Sequence, residues 1–230
     1  MQKLIKSLLV RNELETVSGK VDPKFELAAV AKAVQRSGEK AVLFKDVGGT
    51  DYPVIANIYG SHTRLKQMIG AGDKTFCERW IELTDACIAN REIDVRSYVD
   101  NSDEFDTVTL SDLPQITYHG KDGGPYFTSA IFLANDPDTG VPNLSFHRSM
   151  MISDTELRIR LGSSHDLAKY QARAEEKGEV LEAVLILSCP PEIFLAACAS
   201  LPKDASELNM AAAIRGSDIP MRKCKTIDLA

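Results

Sequence analysis

The second half of the sequence carries residues of the types that hold a metal ion. Asn143, His165 and Glu207 offer an amide oxygen, an imidazole nitrogen and a carboxylate. This mostly hard set of ligands suits Mn²⁺ or Mg²⁺ better than a metal that prefers thiolates, and the ion could join the protein to a phosphate. Arg148 shares the stretch "NLSFHRSM" with Asn143. One end of this stretch could therefore hold a phosphate while the other works on a substrate.

Each of these residues also has a purely structural explanation. His165 and Ser206 precede predicted helices and could cap them, and Glu207 would lie at the positive end of a helix. Asn143 could stand at a turn, and Arg148 could form an ordinary ion pair. The spacing of the residues leaves both explanations open.

The stretch "VPNLSFHRSM" predicts one half-buried strand. Strict alternation places Asn143, Ser145 and His147 on one face, and Phe146 and Arg148 on the other. At about 3.3 Å per residue, Asn143 and Arg148 would lie roughly 16 Å apart along the strand, a span that suits a long cofactor. A bulge or a strong twist is needed if both are to meet one ligand.

The N-terminal part of the chain predicts an α/β domain. "VDPKFELAAVAKAVQRSG" indicates a helix with Asp22 as its cap and Gly38 as its left-handed end. The strands "AVLFKDV" and "YPVIANIY" follow, and Ser61 and Asp73 are expected to cap two further helices. An acidic, irregular segment then indicates a boundary at about Asp106, which gives domains of 1–105 and 106–230.

The sequence after this boundary predicts antiparallel strands with inserted helices. "NDPDTG" and "SDTE" separate three strands, a helix covers about His165–Lys177, and "VLEAVLILS" indicates a buried strand. Two more helices are expected to begin near Pro191 and Ser206. This order indicates an α+β domain built around a curved sheet or partial barrel, whose mouth suits a flat ligand.

Composition argues against several other classes of protein. A formal charge of −6 and a pI near 5.3, with scattered lysines and arginines, argue against a nucleic-acid surface. Apolar runs such as "AVLILS" are far shorter than the roughly 20 residues of a membrane helix, and the N-terminus lacks a signal-peptide cleavage site, so we expect a cytoplasmic protein. The five cysteines lack CxxC and zinc-ribbon spacing, which favours free and mostly buried thiols. No GxGxxG, P-loop or GxSxG motif is found.

Three longer segments resemble the N-terminal and middle portions of UbiD-type decarboxylases, which use prenylated FMN. The segments are "NELETVSGKVDPKFELAAV", "AVLFKDVGGTDYPVIANIYGSHTRL" and "DGGPYFTSAIFLANDPDTGVPNLSFHRSMM". The specific parts of the resemblance are "DGGPY", the Asn143–Arg148 element and the ordered series Asn143, His165, Glu207. It implies a flavin-binding, split β-barrel-like second domain with inserted helices. It also implies non-oxidative decarboxylation, or the reverse carboxylation, of an aromatic or α,β-unsaturated acid.

The resemblance assigns a role to each candidate residue. Asn143, His165 and Glu207 would hold Mn²⁺, or Mg²⁺, against the cofactor phosphate. Arg148 would face the substrate carboxylate within the family's Glu–Arg–Glu/Asp network, and the segment around Ala197–Ala199 resembles one that contributes carbonyls to a K⁺ site. The flavin would be lined by Ser145, Phe146, His147, Arg148, Arg160, Leu161, Gly162 and Ser164.

The resemblance also implies a missing part. In relatives of roughly twice this length, the two acidic residues of the network and the segment used for oligomer formation lie beyond "KCKTIDLA". The expectation is therefore an N-terminal fragment, a truncated product, or one half of a split enzyme with a C-terminal partner chain, and an oligomer. A non-catalytic flavin-binding or assembly subunit, and a remnant that binds nothing, are the alternatives.

Overall fold

The structure is a computed structural model that describes residues 1–99 and 107–229. Its helices are α1 (Gln2–Val10), α2 (Glu26–Gly38), α3 (His62–Met68), α4 (Phe76–Ala89), α5 (Asp166–Glu176), α6 (Pro191–Ala196) and α7 (Glu207–Arg215). Its strands are β1 (Leu14–Val21), β2 (Ala41–Val47), β3 (Val54–Ala56), β4 (Arg96–Tyr98), β5 (Tyr126–Phe127), β6 (Ile131–Asn135), β7 (Pro142–Phe146), β8 (Ser149–Met151), β9 (Leu157–Ile159), β10 (Val184–Ile186) and β11 (Ile219–Met221). The predicted α+β class is confirmed, and no sheet of the described residues closes into a barrel.

The chain divides into two compact units, each built from separate segments. The first comprises the described residues of Met1–Leu65, Asp106–Thr128 and Arg148–Ile159, and the second those of Lys66–Phe105, Ser129–His147 and Arg160–Ala230. The predicted boundary at Asp106 lies outside the described residues, so the division into 1–105 and 106–230 stays a prediction. None of the helices in the described ranges combines the length and apolar character that crossing a bilayer requires.

The first unit contains a sheet in the order β1-β2-β3, with β1 parallel and β3 antiparallel to β2. Helix α2 packs on this sheet, and its Leu27 joins the core beside Phe44. A second sheet, in the order β5-β8-β9, is antiparallel throughout. The buried core of the first sheet consists of Val21, Leu27, Val42, Phe44 and Val47.

The predicted caps of α2 are wrong. The helix begins at Glu26, because Asp22 forms a turn in which its Oδ1 accepts the Lys24 N–H at 2.7 Å. The N–H of Phe25 donates to the carbonyl of Thr117 at 2.9 Å, a contact distant in sequence that keeps this turn out of the helix. At the other end, Glu39 and not Gly38 takes the left-handed conformation, with φ 59°.

A buried arginine organises the turns of the first unit. Arg64 is only 3% exposed, and its Nε donates to the carbonyl of Ile58 at 2.6 Å. Its Nη2 donates to the carbonyls of Glu39 and Asn57, both at 2.9 Å. Glu39 and Asn57 have positive φ angles of 59° and 58°. The guanidinium therefore donates to the carbonyl groups of two residues that adopt the left-handed conformation although neither is glycine.

We expect Arg64→Met to lower the free energy of unfolding by about 3 kcal/mol, because three carbonyl groups lose a charged donor. Urea denaturation of the 230-residue chain measures the change. Lys40→Met is the matched control, since Lys40 makes an exposed ion pair with Glu15 and should cost less than about 1 kcal/mol. Equal losses for both variants would contradict this account.

The second unit contains a sheet in the order β10-β6-β7, with β6 between two antiparallel neighbours. Helix α7 packs on β7, α4 and α6, and β4 pairs in parallel with β11. Helix α4 is capped by Thr75 and not by Asp73 as predicted. The Thr75 Oγ1 accepts the Glu78 N–H at 3.2 Å, and the Glu78 carboxylate accepts the Thr75 N–H at 2.8 Å. This reciprocal capping box places the helix start two residues later than expected.

The strand predictions of the second half are corrected at two points. "VPNLSFHRSM" is not one strand: β7 ends at Phe146 and pairs with β6, whereas β8 begins at Ser149 and pairs with β5 and β9. "VLEAVLILS" forms a strand only over Val184–Ile186, and no residue of that strand is buried. The predicted helices α5, α6 and α7 are confirmed, with His165 and Ser206 as N-caps.

All five cysteines are free, as expected, but the expectation that most are buried is wrong. Cys87 and Cys189 are buried, Cys77 and Cys198 are exposed, and Cys224 is intermediate.

Candidate functional site

The fold of the second unit brings Asn143 and Glu207 together. Asn143 lies on β7, opposite Ala134 of β6. Ser206 caps α7 by accepting the Leu208 N–H on its Oγ at 3.1 Å, so Glu207 is the first residue of the helix. From this position the Glu207 side chain reaches the edge of β7 and accepts the backbone N–H of Leu144 at 2.9 Å.

The two side chains form a buried amide–carboxylate pair, which we call the Asn143–Glu207 pair. Asn143 Nδ2 lies 3.3 Å from both carboxylate oxygens of Glu207. Each residue is only 8% exposed. The Oδ1 atom of Asn143 is buried and has no hydrogen-bond partner among the described residues. A buried polar atom without a partner is costly, so this oxygen is suited to an additional ligand.

Burial also destabilises the negative charge of the Glu207 carboxylate, because its hydrogen bonds only partly replace the lost hydration. The pKa of Glu207 is raised from 4.5 to about 7, chiefly by desolvation and to a smaller extent by the nearby Asp166. The N–H of Leu144 and the Asn143 amide oppose this increase without cancelling it. A cation beside Glu207 would favour its charged form and would lower the pKa.

These features fit a divalent metal with oxygen ligands. The amide and carboxylate oxygens of the Asn143–Glu207 pair are hard donors of the kind that Mn²⁺ and Mg²⁺ bind. The described residues contain no group of three or more His, Cys, Asp or Glu side chains placed to hold a metal. A metal at this position would therefore depend on the Asn143 amide as well as on Glu207.

His165 lies beside another histidine. It is exposed, and it occupies the N-cap position of α5 without a side-chain capping bond. Its ring centroid is 5.4 Å from that of His147. The described structure gives His165 no hydrogen bond to Asn143 or Glu207. The fold thus joins two members of the predicted series directly, and the role of His165 as a metal ligand stays a prediction.

His147 is a buried residue with a structural environment of its own. Its Nε2 is 3.0 Å from the Ser145 hydroxyl, and its ring packs edge-on to Phe132 at 5.7 Å. Burial lowers the pKa of His147, and the nearby His165 lowers it further. We therefore expect a neutral imidazole at neutral pH.

The remaining residues predicted to line a flavin lie in loops or at strand ends. Arg148 is exposed in the break between β7 and β8, and no carboxylate of the described residues pairs with it. Phe146 contacts Phe194 edge-on at 4.8 Å. Arg160, Leu161, Gly162 and Ser164 form the loop before α5 and are exposed or half-buried. The predicted separation of roughly 16 Å between Asn143 and Arg148 requires a continuous strand. Because the strand breaks after Phe146, that separation does not apply.

Sequence reasoning missed a row of cations on α5. Lys169 and Arg173 of α5 and the C-cap residue Lys177 recur every four residues and therefore lie along one side of the helix. Arg173 Nη1 lies 2.5 Å from the Asp136 carboxylate, and Lys177 Nζ lies 2.7 Å from that of Asp138. The spacing of the three cations, opposite the acidic turn "NDPDTG", was the signal that could have revealed this contact.

Lys169 and Arg173 also line a small cavity beside the Asn143–Glu207 pair, together with Asp136, Pro142, Asp166, Tyr170, Leu201, Pro202, Lys203 and Ala205. Its volume of about 30 Å³ can hold one water molecule or one ion. Three cations and three carboxylates line it, and Lys169 pairs with Asp166 at 2.7 Å as Arg173 does with Asp136 at 2.5 Å, so the charges around the cavity are balanced. A larger cleft of about 570 Å³ in the first unit contains none of the predicted site residues.

We expect the contribution of Glu207 to the stability of the metal-free chain to fall as pH rises from about 4.5 to about 7, whereas the lowered pKa of His147 acts in the opposite direction. Over this range folded Glu207 retains a proton that the unfolded chain has lost, so folding binds protons and weakens as they become scarce. A pKa increase from 4.5 to about 7 corresponds to roughly 3 kcal/mol, all of it lost above pH 7. Urea denaturation between pH 4.5 and 8 with a chelator measures this dependence.

Glu207→Gln isolates the contribution of this one carboxyl. The variant removes the titration, whereas its amide occupies nearly the same volume. The difference in unfolding free energy between the natural chain and the variant should change by roughly 3 kcal/mol across this pH range. A difference that does not vary with pH would show that Glu207 titrates normally.

Comparison with known proteins shows matches along both parts of the chain. Residues 91–230 match the Rift-related domain of 3-octaprenyl-4-hydroxybenzoate carboxy-lyase, UbiD, and residues 5–84 match the N-terminal domain of that enzyme. Anhydromevalonate phosphate decarboxylase of Methanothermobacter thermautotrophicus is 30% identical over 222 residues, which cover 96% of this chain and 50% of that protein.

Solved structures show the same likeness. The UbiD-class enzyme HmfF of Pelotomaculum thermopropionicum, in complex with FMN, has a TM-score of 0.87 at 29% identity, over 99% of this chain and 51% of that one. An evolved dimeric form of HmfF, in complex with prenylated FMN, has a TM-score of 0.85 at 28% identity, over 99% of this chain and 53% of that one. The chain thus spans about half the length of the relatives that it matches.

Proposed function

The chain belongs to the UbiD family, and from this premise we propose that it forms the cofactor-holding part of a prenylated-FMN-dependent decarboxylase. Its substrate would be an aromatic or α,β-unsaturated carboxylic acid, and the reaction a non-oxidative loss of CO₂ or its reverse. The chain would act as a fragment or one half of a split enzyme. The Asn143–Glu207 pair, with its unpartnered buried oxygen, is the observation that carries this proposal.

Mn²⁺, or Mg²⁺, is the proposed metal, and Asn143, His165 and Glu207 are its proposed protein ligands. The ion would neutralise the buried carboxylate and the phosphate of the cofactor. Glu207 would supply the negative charge of the site. Its pKa of about 7 without metal supports this role, because no cation of the described residues pairs with the buried carboxylate to stabilise its charged form. Asn143 would present its unpartnered Oδ1. Carbonyls of Ala197–Ala199, which follow α6, are the proposed K⁺ ligands, because the end of a helix favours cations.

Ser145, Phe146, His147, Arg160, Leu161, Gly162 and Ser164 are the proposed lining of the flavin, together with Arg148 and the metal ligands. Prenylated FMN supplies an electron sink for the carbanion character that loss of CO₂ creates. The residues of this chain would bind and orient that group. A buried, neutral His147 that contacts the Ser145 hydroxyl at 3.0 Å would fix the side chain of Ser145.

Arg148 is the proposed contact of the substrate carboxylate. A guanidinium holds a carboxylate through two hydrogen bonds and keeps its charge at every working pH. Arg148 is exposed and forms no ion pair with a carboxylate of the described residues, so its N–H donors are available to a ligand. Its role is to orient the acid and to stabilise negative charge as it develops.

A proton must return to the product carbon, and a carboxylic acid is suited to provide it. No residue of this chain matches the two acidic positions of the family network. We therefore propose that the C-terminal half of a UbiD-type chain supplies both acids, and that a complete enzyme requires it.

The test combines the 230-residue chain, prenylated FMN, Mn²⁺ and the C-terminal half of a longer relative, and measures CO₂ release from cinnamic-type and phenolic acids. CO₂ release that needs all four components supports the proposal. If the two halves bind each other and the cofactor but release no CO₂ from any acid supplied, the decarboxylase function is wrong.

A non-catalytic flavin-binding subunit is the second candidate function. The residues proposed to hold the metal and the cofactor phosphate lie in this chain, whereas the two acidic residues proposed for proton transfer do not. The same mixture separates the two. Bound flavin without CO₂ release would favour the subunit, and a mixture that remains colourless would oppose both.

A further inference from the structure

The first turn of α7, which carries Glu207, is bonded to the end of α4. Asn209 follows Glu207 by two residues and is only 8% exposed. Its Nδ2 donates to the carbonyl of Asn90 at 3.1 Å and to that of Ile93 at 2.9 Å. Asn90 is the C-cap of α4, and its carbonyl also accepts the Ile93 N–H at 3.0 Å. One buried amide therefore links α7 to the turn in which α4 ends.

A second, weaker contact joins the same two helices. Cys87 of α4 is 1% exposed, and its thiol donates to the carbonyl of Ser206 at a distance of 3.8 Å from Sγ to oxygen. Ser206 is the N-cap of α7 and directly precedes Glu207. A thiol is a weak donor, so the amide of Asn209 provides most of the polar attachment. Residues on both sides of Glu207 are thus bonded to α4.

The first turn of α7 is held from two directions. Side chains two positions apart on a helix do not face each other, so Glu207 reaches β7 whereas Asn209 reaches α4. On the β7 side, the Glu207 carboxylate accepts the Leu144 N–H at 2.9 Å. A metal ligand must be kept close to its binding geometry by neighbours that fix the backbone from which it projects. Asn209 is placed to do this for Glu207.

We propose that Asn209 is a positioning residue for the metal site, because it joins α7 to the end of α4 and thereby holds the Glu207 carboxylate beside Asn143 and Leu144. This inference rests on the proposed function only in naming Mn²⁺ as the ion. It adds that α4, which contributes none of the proposed ligands, helps to set the affinity of the site. The contact between Glu207 and the Leu144 N–H also gives the inference a consequence that requires no metal.

Replacing Asn209 with alanine removes both donors of its amide. We expect the affinity of the 230-residue chain for Mn²⁺ at pH 8 to fall about tenfold, as when a residue that supports a metal ligand is lost. Calorimetric titration measures this affinity. Asn90→Ala is the matched control and should leave it unchanged, since Asn90 Nδ2 donates at 2.8 Å to the Ala86 carbonyl within its own helix. Equal losses for both variants, or an unchanged affinity in Asn209→Ala, would overturn the inference.

Amide hydrogen exchange without metal tests the same contact independently. In Asn209→Ala, the Leu144 amide should exchange at least tenfold faster relative to the amides of β6, because its acceptor on Glu207 is no longer held in place. A general loss of stability would accelerate exchange at both places alike and would overturn the inference. If Leu144 responds as expected but the natural chain binds no Mn²⁺, the positioning of Glu207 is supported and the proposed metal site is wrong.

Cys87→Ala is a second variant, which serves if Asn209→Ala does not fold. It removes the weaker of the two contacts, so we expect about threefold lower affinity for Mn²⁺ and about threefold faster exchange of the Leu144 amide. Cys189→Ala is its control, since Cys189 is also a buried cysteine but precedes α6, and it should change neither quantity. Equal effects of the two cysteine variants, or no effect of Cys87→Ala, would contradict the inference.

Discussion

Replacing Glu207 with glutamine is expected to lower the affinity of the chain for Mn²⁺ at least a hundredfold. Glu207 is the charged member of the Asn143–Glu207 pair, and an amide at this position cannot supply the negative charge that a divalent ion requires. Losses of about 10- to 100-fold follow even when residues that only support metal ligands are replaced, so loss of a ligand should cost more. Calorimetric titration with Mn²⁺ at pH 8, where the carboxyl is ionised, measures the effect.

Glu192→Gln is the matched control for this titration. Glu192 lies in the first turn of α6, as Glu207 lies in the first turn of α7, but its carboxylate pairs with Arg215 at 2.7 Å. Its replacement removes one negative charge from a helix start without changing the proposed ligands. If both variants bind Mn²⁺ as tightly as the natural chain, Glu207 is not a metal ligand.

Replacing Arg148 with alanine should lower kcat/KM of the reconstituted enzyme by about 10²- to 10³-fold, the usual effect of removing a donor that stabilises developing charge. Arg148→Lys should restore only a part, because an ammonium cannot hold a carboxylate through the same two bonds. Arg148 is exposed, so we expect the free energy of unfolding to change by less than about 0.5 kcal/mol. The measurement is CO₂ release under conditions in which flavin binding is saturated.

Arg158→Ala provides the comparison for Arg148. Arg158 is an exposed arginine of β9 in the same unit and has no proposed contact with cofactor or substrate. Its replacement should leave kcat/KM within about twofold of the natural value. A loss of similar size for both arginines would indicate a general charge effect, and it would remove the support for Arg148 as the carboxylate contact.

The starts of α5 and α7 were predicted well, whereas the start of α4 was placed two residues early because the local capping box of Thr75 and Glu78 was missed. The two residues considered as caps, His165 and Ser206, both occupy N-cap positions, of α5 and α7, because a cap involves only the first turn of its own helix. Only Ser206 makes a side-chain capping bond. The start of α2 was missed because Phe25 bonds to Thr117, far along the chain. The break between β7 and β8 was missed for a similar reason, since each strand pairs with a different sheet.

The candidate site was predictable in its residue types but not in its contacts. Nothing in the residue pattern indicates that Asn143 and Glu207 meet, because 64 positions separate them; only the family resemblance implied it. The unpartnered Oδ1 of Asn143 and the raised pKa of Glu207 depend on burial, which a sequence pattern cannot supply. The cations of α5 were visible as a spacing of four, but their partners in the turn before β7 were not.

The most direct test of the central claim compares FMN with riboflavin. If the Asn143–Glu207 pair holds a metal that binds the cofactor phosphate, Mn²⁺ should tighten the binding of FMN to the 230-residue chain at least tenfold. It should leave riboflavin, which lacks the phosphate, unaffected, and Glu207→Gln should abolish the difference. Quenching of flavin fluorescence, with Mn²⁺ or with a chelator, measures these affinities. FMN binding that is equal in both conditions would contradict the account.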